Sequence, residues 1–131
     1  MNYWLFKQEP NTYSYADLER DGGTTWDGVA NALAQKHLRG TKAGDKVLFY
    51  HTGTEKAIVG IMQVTEDPAK VDEKNVVVAV KPLKKLKNPV TLAALKADAD
   101  FAEWELIRIS RLSVMPVPPE LWKKIEAMSR S

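Results

Sequence analysis

Hydrophobic positions along the chain fall into short runs separated by turn-forming residues, and most of those runs are strand-length. Tyr3 to Phe6 is aromatic and apolar and stops at Lys7-Gln8-Glu9-Pro10, which predicts a strand running into a proline-closed turn. Lys46 to His51 and Ala57 to Val64 predict the arms of a hairpin, with Thr52 to Lys56 as its loop. Gly60 inside the second arm marks a close approach by another backbone or a sharp bend. Asn75 to Val80 is strongly β-branched and predicts a strand, followed by a basic segment to Lys87 that Pro82 and Pro89 interrupt. Leu106 to Val117 alternates with period two, placing Leu106, Arg108, Ser110, Leu112 and Val114 on one face of a last predicted strand.

Helices are predicted between these strands. Ser14 and Asp17 have capping-box spacing, so a short helix covers Tyr15 to Arg20 and stops at Gly22-Gly23. Asn31 caps a second helix from Ala32 to Arg39, with Leu33 and His37 one turn apart and Gly40 at its C-terminal end. Thr91 caps a short helix from Leu92 to about Ala97, and Phe101 to Glu105 adds a further turn. Pro118-Pro119-Glu120 opens a final helix to about Met128, with Leu121, Trp122, Ile125 and Met128 as its apolar stripe. Glu66 to Lys74 reads as an exposed loop. Strands separated by turns, with helices inserted irregularly, predict an α+β fold: a small, partly closed β-barrel of about five to six strands with peripheral helices. A parallel α/β arrangement fits poorly.

A length of 131 residues suits a single domain over residues 1–131. No run approaches the ~20 apolar residues of a membrane helix, and the N-terminus lacks the pattern of a signal peptide, so a soluble, cytoplasmic protein without a membrane partner is expected. The absence of cysteine removes disulfides, thiolate nucleophiles and cysteine-based zinc sites, and leaves His37 and His51 as the imidazoles. No metal or other cofactor is expected. A net charge of +2 permits contact with nucleic acid without requiring it. Basic residues collect at Lys36, Arg39 and Lys42, at Lys81, Lys84, Lys85 and Lys87, and at Arg108 with Arg111. A solvated surface of mixed charge and a set of phosphate contacts both account for them.

Four constellations carry candidate chemistry. Trp26-Asp27-Gly28 with Asn31 is either a packed indole, an Asp-Gly turn and a helix cap, or an aromatic wall for a planar base with an amide to read its edge. Stacking of that kind contributes roughly 1 to 3 kcal/mol per base. Lys7, Gln8 and Glu9 are either a surface turn or the polar mouth of a pocket at a strand end. His51 and Thr52 close a strand with an imidazole and a hydroxyl, as hydrogen-bonding structural groups or as a pocket wall. Trp104 with the segment Arg108 to Ser113 is an amphipathic strand with arginines at a wet edge, or a second aromatic surface beside phosphate-binding guanidiniums. No triad or paired-carboxylate spacing appears, and Gly22-Gly23 and Gly28 match neither a P-loop nor a dinucleotide fingerprint. Binding rather than catalysis is expected.

Taken together, YWLFKQEP, YSYADLERDGGTTWDGVAN, LRGTKAGDKVLFYHTGTEKAIVGI and LIRISRLSVMPV resemble the EVE domain family over almost the entire chain. The resemblance implies a PUA-like β-barrel that is not an enzyme and binds nucleic acid. The base would be a modified one, such as 5-methyl- or 5-hydroxymethylcytosine in DNA, turned out into an aromatic pocket. It implies Lys7, Gln8 and Glu9 at the pocket rim, Trp26 as a wall, Gly28 beside it and Asn31 orienting the base. His51 and Thr52 fall near the opposite wall and Ser113 in the family's SRLSV strand; for a base pocket, the residues themselves add Trp104 as a second aromatic surface and Lys36, Arg39, Arg108 and Arg111 as phosphate contacts. Ala30 stands where the family commonly has arginine, and Gln8 where it commonly has serine. The alternatives are an RNA-binding module of PUA type, and an enzyme or small-molecule binder using the same cleft.

Overall fold

Strand β1 (Tyr3–Gln8) is the hub, pairing in parallel with β3 (Lys46–His51) on one side and antiparallel with β7 (Val114–Pro116) on the other. The structure, a computed structural model, describes residues 1–130. β3 turns into β4 (Ala57–Val64), β4 pairs with the long β6 (Val76–Thr91), and β6 also receives β2 (Thr24–Trp26). The sheet order is β2-β6-β4-β3-β1-β7, a curled half-barrel, with the two-residue β5 (Ala69–Lys70) on the start of β6. Five helices surround it: α1 (Tyr15–Asp21), α2 (Ala32–Arg39), α3 (Leu92–Lys96), α4 (Glu105–Arg108) and α5 (Pro119–Arg130). This is the α+β, PUA-like barrel expected, with six strands in the curl.

The local signals form as their chemistry requires. Ser14 and Asp17 exchange both capping-box hydrogen bonds, and Gly22 ends α1 at φ 74°, a left-handed conformation that glycine adopts without strain. Asn31 caps α2 through Ala34 N–H, and Thr91 caps α3 through Ala94 N–H. On α2 the inward face is Ala34, Gln35 and Leu38, while Leu33 lies outside it and is exposed. Gln35 is buried because its amide replaces strand pairing: it accepts from Val76 N–H and donates to Val29 C=O. Asp45 is a buried carboxylate satisfied by Asn2 N–H, Lys42 N–H and the Trp4 indole.

Gly60 does mark a close approach, but by a side chain. A Cβ there would lie 2.4 Å from the Tyr15 ring. That ring is fixed by two hydrogen bonds: Tyr15 Oη donates to Ile61 C=O at 2.7 Å and accepts from Lys84 N–H at 3.1 Å, joining β4 to β6 where their register shifts.

Two predicted elements are corrected. The prolines do not interrupt the strand after Asn75, because β6 runs through both. Pro82 lies at one register shift against β4 and Pro89 within the other, where a ladder N–H is dispensable. The segment Leu106 to Val117 is not one strand. Its first part is the turn of helix α4, and only Val114–Pro116 pairs with β1. β1 ends at Gln8, which the register sets opposite Leu112, so residues upstream of Leu112 have no strand to pair with, and their backbone closes helical bonds such as Ile109 N–H to Glu105 C=O instead.

Candidate nucleic-acid interface

The C-terminal end of β1 places adjacent residues on opposite faces of the sheet, and each face has a cleft of about 250 Å³. Gln8 lines the inner cleft with Thr12, Tyr13, Thr24, Trp26 and Asp27. Lys7 lines the outer cleft, which includes Tyr50, Thr52, Lys56, Lys96 and Ser110.

Trp26 is the floor of the inner cleft rather than an open wall. It is only 4% exposed, with Phe6 tilted against it at 5.4 Å and Phe49 edge-on at 5.3 Å between ring centroids. The bend at Asp27-Gly28, with Gly28 at φ 71°, lets the chain leave β2 while the indole stays beneath the rim. The Nε1–H of Trp26 meets no acceptor among the described residues. Because no fully buried side-chain polar atom there lacks a partner, this N–H reaches solvent. At the rim, the exposed Asp27 carboxylate also has no hydrogen-bond partner among the described residues. Gln8 uses its amide oxygen to accept from Glu9 N–H, which leaves its NH₂ for a ligand. Tyr13 donates its hydroxyl to Asp21 at 2.9 Å.

Glu9 accepts a hydrogen bond from the Thr52 hydroxyl at 3.2 Å, and its carboxylate fills the space that a side chain at Gly53 would need. His51 is buried and both its ring nitrogens are engaged. Nε2 accepts from Tyr15 N–H at 3.1 Å, so Nδ1 carries the proton and donates to Glu55 at 2.7 Å. His51 thus anchors the start of α1 and offers no free nitrogen to a ligand. Asn31 is exposed and its amide oxygen is spent on the α2 cap at 3.0 Å.

Other predicted residues do not gather here. Trp104 is buried elsewhere, its indole donating to Pro116 C=O, and it lines a cavity with Asp100, Glu103 and Lys124. Ser113 meets β1 through its backbone, accepting from Lys7 N–H. Arg39 donates to Lys74 C=O and borders a separate cavity with Ala30, and Lys36 is exposed on the same helix. Arg108 donates to Glu103 C=O on α4, and Arg111 lies exposed in the loop beyond, so the two do not share a strand face. Sequence reasoning missed Thr12, Tyr13 and Thr24 at the inner rim and Tyr50, Lys56 and Lys96 in the outer cleft. Tyr50 could have been found, because it follows Phe49 and must face the side opposite to it.

The family model of the EVE domain matches residues 2–128. The chain belongs to the EVE domain family. Thymocyte nuclear protein 1 of Mus musculus is 36% identical to it over 78 residues, 50% of this chain and 34% of that protein, so the match spans about a third of the curated relative's length. Among solved EVE-like structures, Rpa0253 from Rhodopseudomonas palustris is 39% identical, with a TM-score of 0.93 over 99% of this chain and 94% of that one. Human THYN1 protein, solved in complex with 5-methylcytosine-containing DNA, shares the fold at a TM-score of 0.92 and 24% identity, over 100% of this chain and 99% of that one.

Proposed function

We propose that this EVE domain binds nucleic acid by taking a single cytosine-type base into the inner cleft. The observation that carries the reading is the donor and acceptor pattern there. The Asp27 carboxylate is an acceptor, and the Trp26 indole N–H and the Gln8 NH₂ are donors, all without protein partners for those atoms among the described residues. A cytosine edge is the complement, with its exocyclic amine donating to a carboxylate and its ring nitrogen and carbonyl accepting. The cleft is smaller than the roughly 300 to 1,000 Å³ of drug-sized sites, which suits one planar ring. Membership in the EVE family, and the 5-methylcytosine DNA bound by human THYN1, support the same class of ligand.

Phosphates are held along β6 rather than by the arginines. Lys81, Lys84, Lys85 and Lys87 are exposed on that strand. The row begins beside Val80, which pairs with Thr24 at the cleft rim. Turning a base out costs a few kcal/mol, which edge contacts and phosphate contacts together offset.

Fluorescence anisotropy with one oligonucleotide sequence carrying cytosine, 5-methylcytosine or 5-hydroxymethylcytosine, as DNA and as RNA at fixed salt, tests this. A cytosine-type base should be preferred over thymine at the same position, and Asp27→Asn should abolish the preference. Equal affinity for every oligonucleotide in both proteins would leave only charge attraction and end the base-reading account. Preference for the RNA series would assign the cleft to RNA through its 2′-hydroxyls.

A further inference from the structure

The outer cleft is a second site, and its chemistry is opposite to that of the inner one. We propose that it takes the phosphate of a small phosphate monoester, held by Lys7, Lys56 and Lys96 with the hydroxyl of Tyr50. No carboxylate lines the cleft, and none of its three lysines is in an ion pair among the described residues. Glu9, outside the lining, is held by the Thr52 hydroxyl.

Three features show that the site is built rather than incidental. Tyr50 is 3% exposed, yet its hydroxyl has no hydrogen-bond partner among the described residues. Since no fully buried side-chain polar atom there is unpartnered, this hydroxyl opens on the cleft. Lys7 is half-buried, its ammonium 5.6 Å from the Tyr50 ring centroid and donating one hydrogen bond, to Ser110 C=O at 3.0 Å. An ammonium has three donors, so Lys7 retains capacity for an anion. Burial also pushes the Lys7 pKa down, a cost that a bound anion relieves. Lys56 has φ 47°, the only positive value outside glycine among the described residues. Glycine or asparagine would end this hairpin loop with less strain, but the chain places a cation there, at the cleft mouth.

A phosphate monoester carries close to two negative charges at neutral pH, and its oxygens accept from both ammonium and hydroxyl groups. The walls Leu92, Leu106 and Ile107 are apolar and suit a carbon body attached to that head. The site does not depend on the base-reading cleft, because it lies on the other face of β1 and shares no lining residue with it.

Ribose 5-phosphate, which carries no base, is the direct probe, with ribose as its control. In NMR titration ribose 5-phosphate should bind saturably, shifting Tyr50 and Thr52, while ribose should not. Tyr50→Phe should weaken binding roughly tenfold, as loss of a hydrogen bond to a charged group does. Lys56→Gly with Lys96→Ala should weaken it further, and glycine suits the positive φ, so that variant keeps the loop. Asp27→Asn should bind ribose 5-phosphate as the wild type does, which separates this site from the base-reading one. A single-stranded abasic oligonucleotide with and without a 5′-phosphate then identifies the source. Tighter binding of the phosphorylated strand than of ribose 5-phosphate assigns the site to a strand end, and the reverse assigns it to a free phosphate ester. Absence of saturable binding to either phosphate, or binding that survives Tyr50→Phe and the lysine pair unchanged, overturns the proposal.

Discussion

Lys7 and Gln8 are neighbours in β1, yet they belong to clefts of equal volume and opposite character. The inner one presents a free carboxylate and two free N–H donors over an indole. The outer one presents three lysines and a tyrosine hydroxyl that has no partner among the described residues. Strand alternation alone produces this difference, because one residue's step reverses the face. A short polar run at the end of a barrel strand can therefore serve two ligand chemistries at once, and its residues should not be pooled into one site.

The largest effect is expected at the floor of the inner cleft. Trp26→Ala should cost about 3 to 5 kcal/mol of stability, because the indole packs against Phe6 and Phe49 in the core. Urea denaturation would read this, and the loss would disturb ligand binding indirectly, so this variant is a stability test rather than a binding test. Gly60→Ala should cost up to about 3 kcal/mol, since the new methyl meets a Tyr15 ring that two hydrogen bonds hold in place. It should affect the inner cleft more than the outer, because α1 carries Tyr15 while Tyr13 of the preceding turn lies on the inner rim. A midpoint unchanged in urea would show that the ring can move aside.

Asp27→Asn separates the clefts cleanly. It should remove about 1 to 3 kcal/mol of discrimination for a cytosine-type base, measured as the ratio of affinities for cytosine and thymine oligonucleotides, and leave stability unchanged. The smallest effect concerns the tyrosines. Burial raises the Tyr15 pKa to about 12 from the usual 10. The folded state therefore keeps a proton that the unfolded state loses, so stability should fall as pH rises from 10 towards 12. In Tyr15→Phe, denaturation midpoints across that window should fall less steeply. Equal slopes would remove Tyr15 from the alkaline transition.

Much of the frame was legible because its signals are local. The Ser14 and Asp17 box, the Asn31 and Thr91 caps and the β3–β4 hairpin all depend on residues a few positions apart. β6 and the segment after Trp104 were misread because partner strands decide them. Pro82 is tolerated where β4 shifts register, and the alternation after Leu106 finds no edge to pair with. Around the end of β1 the structure divides the expected residues between two clefts. Trp26 and Gln8 share one cleft, Lys7 and Thr52 the other, His51 anchors α1, and Trp104 belongs to another part of the fold. Which face a residue takes and whether an indole is covered are set by long-range packing, which no short motif encodes.

A base held in the inner cleft must be felt by the N–H groups that line it. Titrating isotope-labelled protein with a single-stranded DNA containing one 5-methylcytosine, and following the Trp26 indole N–H together with the Gln8 side-chain amide, tests it most directly. Both signals should shift and saturate with the same dissociation constant, as each N–H finds an acceptor on the base. Shifts confined to the lysines of β6, with the Trp26 and Gln8 signals unmoved at saturation, would contradict it.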